Sequence, residues 1–307
     1  MIPINQLGNS GLYVSQLGLG CMSLGTEEKK ATEIVKKALD LGINYFDTAD
    51  LYDFGENEEI VGKALKGQRD KVILATKVGN SWTPGKEGWE WDPSKEHILS
   101  AVKDSLHRLN TDYIDLYQLH GGTIEDPTEE TIEAFEELKK GGYIREYAIS
   151  SIRPNVIKRF VENSSIVSVM MQYNMLDTRP EEWLDYLHNN NISVIARGPL
   201  AKGLLTERGI EKLQEKFNGK SYLDYSNEEL ADLLPKLTQL SVEKPLQSSA
   251  FHYCLTHPAV ATVIPGASSL EQLEANVSAI YEKGLGQDEY KAYKELLKQS
   301  IYETHRE

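Results

Sequence analysis

Cysteine is nearly absent: Cys21 and Cys254 are the only two in 307 residues. Two thiols cannot build a disulfide framework, so the core must hold the fold, and the count suits a reducing compartment such as the cytoplasm. Positive charge is in deficit as well, with 33 Lys+Arg against 47 Asp+Glu and a formal net charge of −14. That balance disfavours unspecific attraction to nucleic-acid phosphates or to an anionic membrane, so any anionic ligand needs a local basic or backbone-amide site. No apolar run is long enough to span a bilayer, since the stretch around Val260 is broken by His257, Pro258 and Pro265. The opening residues MIPINQLGNSG lack the basic and apolar regions of a secretory signal, which assigns them to the fold. No Gly/Ser- or Pro-rich linker interrupts the chain, and the expectation is one domain over residues 1–307.

What is present is an ordinary globular mix, 40% hydrophobic and 26% charged, enough to form a core. Apolar, β-branched runs alternate with helix-period segments along the whole chain, the pattern of βαβ units and a parallel sheet. Eight strands are predicted: near 14–20, then 43–47, 72–77, 113–120, 145–150, 167–173, 193–197 and 261–266. Several are almost continuously apolar, as strands covered on both faces must be. Eight such units favour a closed α/β (β/α)8 TIM barrel over a doubly wound open sheet.

The intervening helices show their punctuation. In EKKATEIVKKALDLG, Ala31, Ile34, Val35, Ala38 and Leu39 form one stripe, and Gly42 offers a stop. In DPTEETIEAFEELKKGG, Asp126 is expected to cap with Pro127 at the first helical position and Glu129 completing a capping box. Three stretches break the rhythm: an N-terminal β-hairpin turning at Asn9-Ser10-Gly11, a loop at 80–94 and an irregular segment near 203–245, the last two being long loops of the functional face. Trp82, Trp89 and Trp91 lie in the second, either as a satellite cluster or as a pocket wall.

Active sites of such barrels gather where strands end at the C-terminal face. The polar residues there are Asp47, Lys77, His120, Ser150, Ser151, Gln172, Asn174 and Arg197, with Tyr52 and Asp53 just past Asp47. A phenol near pKa 10 is a weak acid at neutral pH unless nearby charge assists it, and a lysine beside it, held by an aspartate, does so. Asp47, Tyr52, Lys77 and His120 therefore form a coherent proton-transfer set, with His120 orienting a carbonyl oxygen or relaying the proton. The loops after the last two strands, ARGPLAKGLL and IPGASSLEQLEANV, read as a phosphate site: glycines allow close approach, Lys202 brings charge and Ser268 opens a helix, where Ser268-x-x-Glu271 is also a capping box.

With these residues assembled, the sequence resembles the aldo-keto reductase superfamily, in particular the bacterial branch similar to the β subunits of voltage-gated potassium channels. The segments that carry the resemblance are INYFDTADLYDFGENEEIVGKAL, TKVG, TDYIDLYQLHG, EETIEAFEELKKGGYIREYAISS, MMQYN, GPLAKGLLT and VIPGASSLEQLEANV. The resemblance implies NADPH-dependent reduction of a small carbonyl substrate; the charge balance argues for no nucleic acid or membrane partner, and the protein partner is unknown. It makes Tyr52 the general acid, Lys77 and Asp47 its tuning pair and His120 the fourth member. It assigns Ser150, Ser151 and Gln172 to the nicotinamide carboxamide, Leu200, Lys202 and Gly203 to the pyrophosphate, and Gly266, Ser268, Gln272 and Asn276 to the adenosine end. Arg197 stands where the family usually presents an aromatic ring, which implies a guanidinium plane stacked on the nicotinamide. Ser151 replaces the usual Asn, and Ala275 an acidic residue often found near the adenine.

Other chemistries find little support. A glycosidase needs two carboxylates at strand ends, and only Asp47 qualifies; the acidic pairs at 58–59, 129–130 and 136–137 are expected on solvated helix surfaces. Neither His-x-His nor His-Glu-x-x-His occurs, and His252-x-Cys254-x-x-His257 does not share one helix face, so no metal is expected. The remaining alternative is a cofactor-binding, redox-sensing regulatory subunit with vestigial turnover.

Overall fold

The computed structural model describes residues 1–83 and 86–307; Pro84 and Gly85, inside the expected 80–94 loop, lie outside the described residues. An antiparallel hairpin comes first, β1 (Ile4–Gln6) paired with β2 (Tyr13–Ser15). Its turn carries Gly8 in the left-handed region, and Ser10 Oγ donates to the Leu7 carbonyl at 2.5 Å. Polar groups at the turn are thereby satisfied within the chain, and Leu7, Leu12 and Val14 are free to face inward.

Eight parallel strands follow in cyclic order. The first half is β3 (Leu19–Gly20), β4 (Tyr45–Asp47) and β5 (Ile73–Val78), and after a small second hairpin of β6 (Asn80–Ser81) and β7 (Glu90–Trp91) comes β8 (Ile114–Leu119). The second half is β9 (Ile144–Ser150), β10 (Ser168–Gln172), β11 (Ser193–Arg197) and β12 (Val260–Ile264). Sequential neighbours pair throughout, and bridges Leu17↔Val263 and Gly20↔Gly266 join the last strand to the first. The predicted closed (β/α)8 barrel is therefore what forms.

Side-chain alternation along these strands decides what faces the axis. Tyr45, Ala75, Leu116, Ala148, Met170 and Ile195 fill the interior together with the three hairpin residues, which plug the N-terminal mouth. Two residues further along each strand lie Asp47, Lys77, Gln118, Ser150, Gln172 and Arg197, on the same inward face at the opposite mouth. The polar site is thus an extension of the apolar plug.

Outside the barrel pack α1 (Glu28–Asp40), α2 (Glu56–Ala64), α3 (Lys95–Leu109), α4 (Thr128–Lys140), α5 (Pro154–Asn163) and α6 (Glu181–Asn189). The stripe read from sequence in α1 is the buried one, Ala31, Ile34, Val35 and Ala38. Truncating Ile34 to Ala there would cost about 2–5 kcal/mol through lost transfer energy and the cavity left behind.

Three expectations need correction. Asp126 does not cap α4: its carboxylate accepts from Thr123 N at 2.6 Å, Thr123 Oγ1 at 2.7 Å and Trp91 Nε1 at 3.0 Å, and the helix starts at Thr128 with Pro127 outside it. A tertiary indole partner has outcompeted the local cap. The 203–245 segment is not irregular, since it holds α7 (Gly209–Lys212), a π turn at Leu213–Phe217 and the fourteen-residue α8 (Asn227–Leu240). Pro235 inside α8 hides the helix from a periodicity reading, but burial of Leu230, Leu233, Leu234 and Leu237 and a Ser226/Glu229 capping box outweigh the missing N–H. Finally, Glu58 is not on a solvated surface: it is fully buried, accepting from Thr76 Oγ1 at 2.6 Å and Arg108 Nε at 2.6 Å. The chain closes with α9 (Leu246–Leu255), α10 (Leu270–Tyr281) and α11 (Gln287–Leu296), and a C-terminal tail returns over the loops after β9 and β10. Among the described residues no helix is long and apolar enough to cross a membrane.

Candidate active site

At the C-terminal mouth, β4 delivers Asp47 and β5 Lys77, His120 is the residue just past β8, and Tyr52 sits on the turn Tyr52–Gly55 after β4. That turn is irregular: Asp53 and Phe54 both take left-handed φ values, 48° and 50°. Such backbone is costly for residues with a Cβ and persists only where its surroundings impose it. Here it aims the Tyr52 phenol inward at the strand ends.

Lys77 is 1% exposed and uses all three of its ammonium hydrogens. Nζ donates to Asp47 Oδ1 at 2.5 Å, to the Thr48 carbonyl at 2.6 Å and to Tyr52 Oη at 3.1 Å. The other Asp47 oxygen accepts from Gln118 Nε2 at 2.9 Å. Burial works against both charges. It pushes the Asp47 carboxyl upward despite Lys77 and Gln118, and it would pull Lys77 down, but the neighbouring Asp47 and Tyr52 oxygens outweigh it and hold the ammonium above its ordinary range. Lys77 is therefore the protonated partner.

The Tyr52 and His120 rings meet edge to face with centroids 5.8 Å apart. Burial, then the charges of Lys77 and Arg197, lower the His120 pKa to about 3. The imidazole is thus neutral at neutral pH, and its buried Nδ1 has no hydrogen-bond partner among the described residues. All four sequence-predicted residues converge, and a neutral ring can orient an oxygen but holds no spare imidazolium proton to pass on.

The residues expected around a cofactor fall into two groups. Ser150, Ser151, Gln172 and Arg197 stand at the ends of neighbouring strands; Arg197 Nη1 donates to Gln172 Oε1 at 3.1 Å, and Ser151 Oγ accepts from Arg153 N at 3.2 Å. Past β11 the backbone turns left-handed at Gly198, Ala201, Lys202 and Gly203, with φ from 47° to 95°. Leu200 leads this turn, and the exposed Lys202 lies within it. Within it the Ala201 and Gly203 amides already donate to the Gly198 and Leu200 carbonyls, so the exposed Lys202 is the group placed to meet an anion. Gly266, Ser268, Gln272 and Asn276 gather beside the start of α10, where the expected Ser268 cap is corrected. The N-cap is Ser269, whose Oγ accepts from Gln272 N at 3.3 Å, while Ser268 N and Oγ both donate to Gln272 Oε1, at 2.9 and 3.1 Å. Ser268 is thereby free of the cap. Asn276 is buried and engaged within the protein, accepting from Gln247 Nε2 at 2.5 Å. The left-handed turn, the serine and amide groups at the strand ends and the free helix start make a donor set that fits a dinucleotide laid from the mouth to α10.

Several members of the site escaped sequence reading. Gln118 lies on the inward face of β8, two residues before His120, and that spacing alone flags it. Glu58 and Arg108 had no such signal, because their pairing joins α2 to α3. The three tryptophans form no common cluster: Trp82 lies beside Phe54 and the Arg108 guanidinium, Trp91 packs over Gly79 and Gly121, and Trp89 is exposed.

Comparison with known proteins agrees with this geometry. Residues 16–298 match the Aldo/keto reductase family. The chain is 56% identical over 301 residues to the protein named Uncharacterized oxidoreductase YqkF of Bacillus subtilis (strain 168), covering 98% of each. It is 29% identical over 303 residues to Aldo-keto reductase yakc [NADP(+)] of Schizosaccharomyces pombe, covering 92% of this chain and 88% of the relative. The holo form of aldo-keto reductase AKR11C1 from Bacillus halodurans superimposes with a TM-score of 0.94 at 56% identity, over the full length of both chains. A closed parallel barrel, a phenol and an ammonium joined at its mouth, and these likenesses lead to one conclusion: the chain belongs to the aldo/keto reductase family and is an oxidoreductase of that kind.

Proposed function

We propose that this protein reduces an aldehyde or ketone to the alcohol with NADPH, Tyr52 being the general acid. The observation that supports this most is the Lys77 ammonium 3.1 Å from the Tyr52 hydroxyl and 2.5 Å from Asp47. The nicotinamide cofactor supplies the hydride when bound. Tyr52 donates its proton to the substrate oxygen, and Lys77, positive and immobilised, stabilises the charge that then develops on the phenol oxygen. Asp47, held in turn by Gln118, keeps Lys77 in place. His120, a neutral ring set edge to face with Tyr52, orients the carbonyl oxygen toward it.

Ser150, Ser151 and Gln172 hold the carboxamide end of the cofactor and Arg197 its ring. The turn of Leu200, Lys202 and Gly203 takes the pyrophosphate. Ser268 and Gln272 take the adenosine end, with Asn276 and Gly266 shaping the wall behind them. NADPH is proposed over NADH because a relative of the same family is named for NADP(+). The test is turnover of an aldehyde panel with NADPH by wild type and Tyr52→Phe. A loss of about 10²–10⁴-fold in the variant, with NADPH binding retained, is expected. Tight binding with wild-type turnover no higher than that of the variant would overturn the enzymatic reading in favour of a redox sensor.

A further inference from the structure

We propose that Asp177 and Arg179 are positioning residues that fix the orientation of the Gln172 side-chain amide, and thereby the hydrogen bonds offered to the reactive end of the cofactor. The inference rests on the reading that Gln172 faces the nicotinamide carboxamide. A glutamine amide has nearly the same shape in either orientation, so its partners decide which way it points.

Here the partners leave one choice. Arg197 has donors only, and its Nη1 points at Gln172 Oε1 from 3.1 Å. Asp177, as a carboxylate, only accepts, and its Oδ2 receives Gln172 Nε2 at 2.8 Å. Arg179 clamps that carboxylate from the other side with two bonds, Nε to Oδ1 at 2.7 Å and Nη2 to Oδ2 at 2.8 Å. The Asp177 side chain is completely buried. Arg179 is backed by the ring of Tyr302, 5.1 Å from its guanidinium, and the neighbouring Thr178 hydroxyl donates to the Lys298 carbonyl and accepts from Ser300 N, each at 2.9 Å. The C-terminal tail thus supports the clamp.

Donors and acceptors alternate along Arg197, Gln172, Asp177 and Arg179. Turning Gln172 over would set two donors against each other at Arg197 and two acceptors against each other at Asp177. With its orientation fixed, Gln172 keeps one N–H and one lone pair for a ligand. A carboxamide, which has both an acceptor and a donor, matches that pair, whereas an acetyl group offers only the acceptor.

The test uses the full-length protein and measures dissociation constants of NADP⁺ and its 3-acetylpyridine analogue by quenching of tryptophan fluorescence, with thermal unfolding of each variant alongside. Wild type is expected to favour NADP⁺ about fivefold or more, the factor that corresponds to one net hydrogen bond. In Asp177→Asn, Arg179 retains the side-chain oxygen and the new NH₂ faces Gln172 Nε2. The amide can then neither stay nor flip without a donor clash, and the preference should fall to within twofold of unity. Arg179→Lys, which keeps a cation on the carboxylate, should stay within twofold of the wild-type preference. A purely structural defect weakens both nucleotides alike and leaves the ratio unmoved, so an unchanged ratio in folded Asp177→Asn overturns the proposal, as do equal affinities in wild type. Should Asp177→Asn not fold, Arg179→Met loosens the same clamp and must shift the ratio in the same direction. Persistence of the wild-type preference in Gln172→Leu would instead remove the underlying placement of Gln172, a separate outcome.

Discussion

Replacing Lys77 by Met tests the centre of the site through stability as well as activity. Lys77 Nζ fills three acceptors from a position 1% exposed, so its removal orphans the Thr48 carbonyl and leaves the buried Asp47 carboxylate with neutral donors such as Gln118 in place of a cation. Breaking one side of such a buried pair costs about 3–5 kcal/mol, because the remaining charge stays desolvated. Asp47→Asn alone strands the ammonium and should cost a similar amount. The double variant carries no unpaired charge, and its loss should not exceed that of the worse single variant. Urea unfolding followed by circular dichroism measures all three, with an unchanged dependence on denaturant confirming that stability alone has moved. The pH sense is fixed too. Without Lys77, burial raises the Asp47 pKa further above its unfolded value, the folded state binds the extra proton, and the deficit of Lys77→Met should grow as pH rises from 4.5 to 7. Additive losses, within ~0.5 kcal/mol of the sum of the singles, would refute the pairing as drawn. Reduction by Lys77→Met should be abolished while NADPH binding stays measurable; near-normal turnover would remove its assigned role.

His120, with a folded pKa of about 3 against an ordinary 6.5, binds its proton in the unfolded chain first, so its contribution is complete above 6.5 and drains away as pH falls toward 3. Between pH 7 and 5 wild type should lose ~2 kcal/mol more stability than His120→Gln, as read from paired denaturation curves; parallel losses would contradict a buried neutral imidazole. Gly266→Ala places a Cβ 2.2 Å from Ser23 Oγ, and should destabilise by about 1–3 kcal/mol with recovery in the Ser23→Gly background; if no recovery appears in thermal melts, the clash lies elsewhere. Arg108→Met strands the fully buried Glu58 and should cost about 3–5 kcal/mol, whereas Arg108→Met with Glu58→Gln should recover part of it; stability unchanged in the single variant would show that the ion pair is dispensable.

Legibility followed the range of the interactions involved. The number of strands, their parallel order and the stripe on α1 could be read directly, because periodicities of 2 and 3.6 are local and eight alternating units close in one way with short right-handed connections. The candidate site is legible for a related reason: residues at successive strand ends must meet at one mouth, which places Asp47, Lys77, His120, Gln172 and Arg197 from their spacing alone. Tertiary structure alone decided which partners complete them. Whether Asp126 caps its helix or receives Trp91, whether Glu58 faces solvent or Arg108, and whether Gln172 is free or clamped between Arg197 and Asp177 depend on partners 25 to 50 residues away, Asp177, five residues past Gln172, being the exception. Sequence spacing is silent on them, because a buried polar group takes whichever partner the packing of distant elements brings within hydrogen-bond reach.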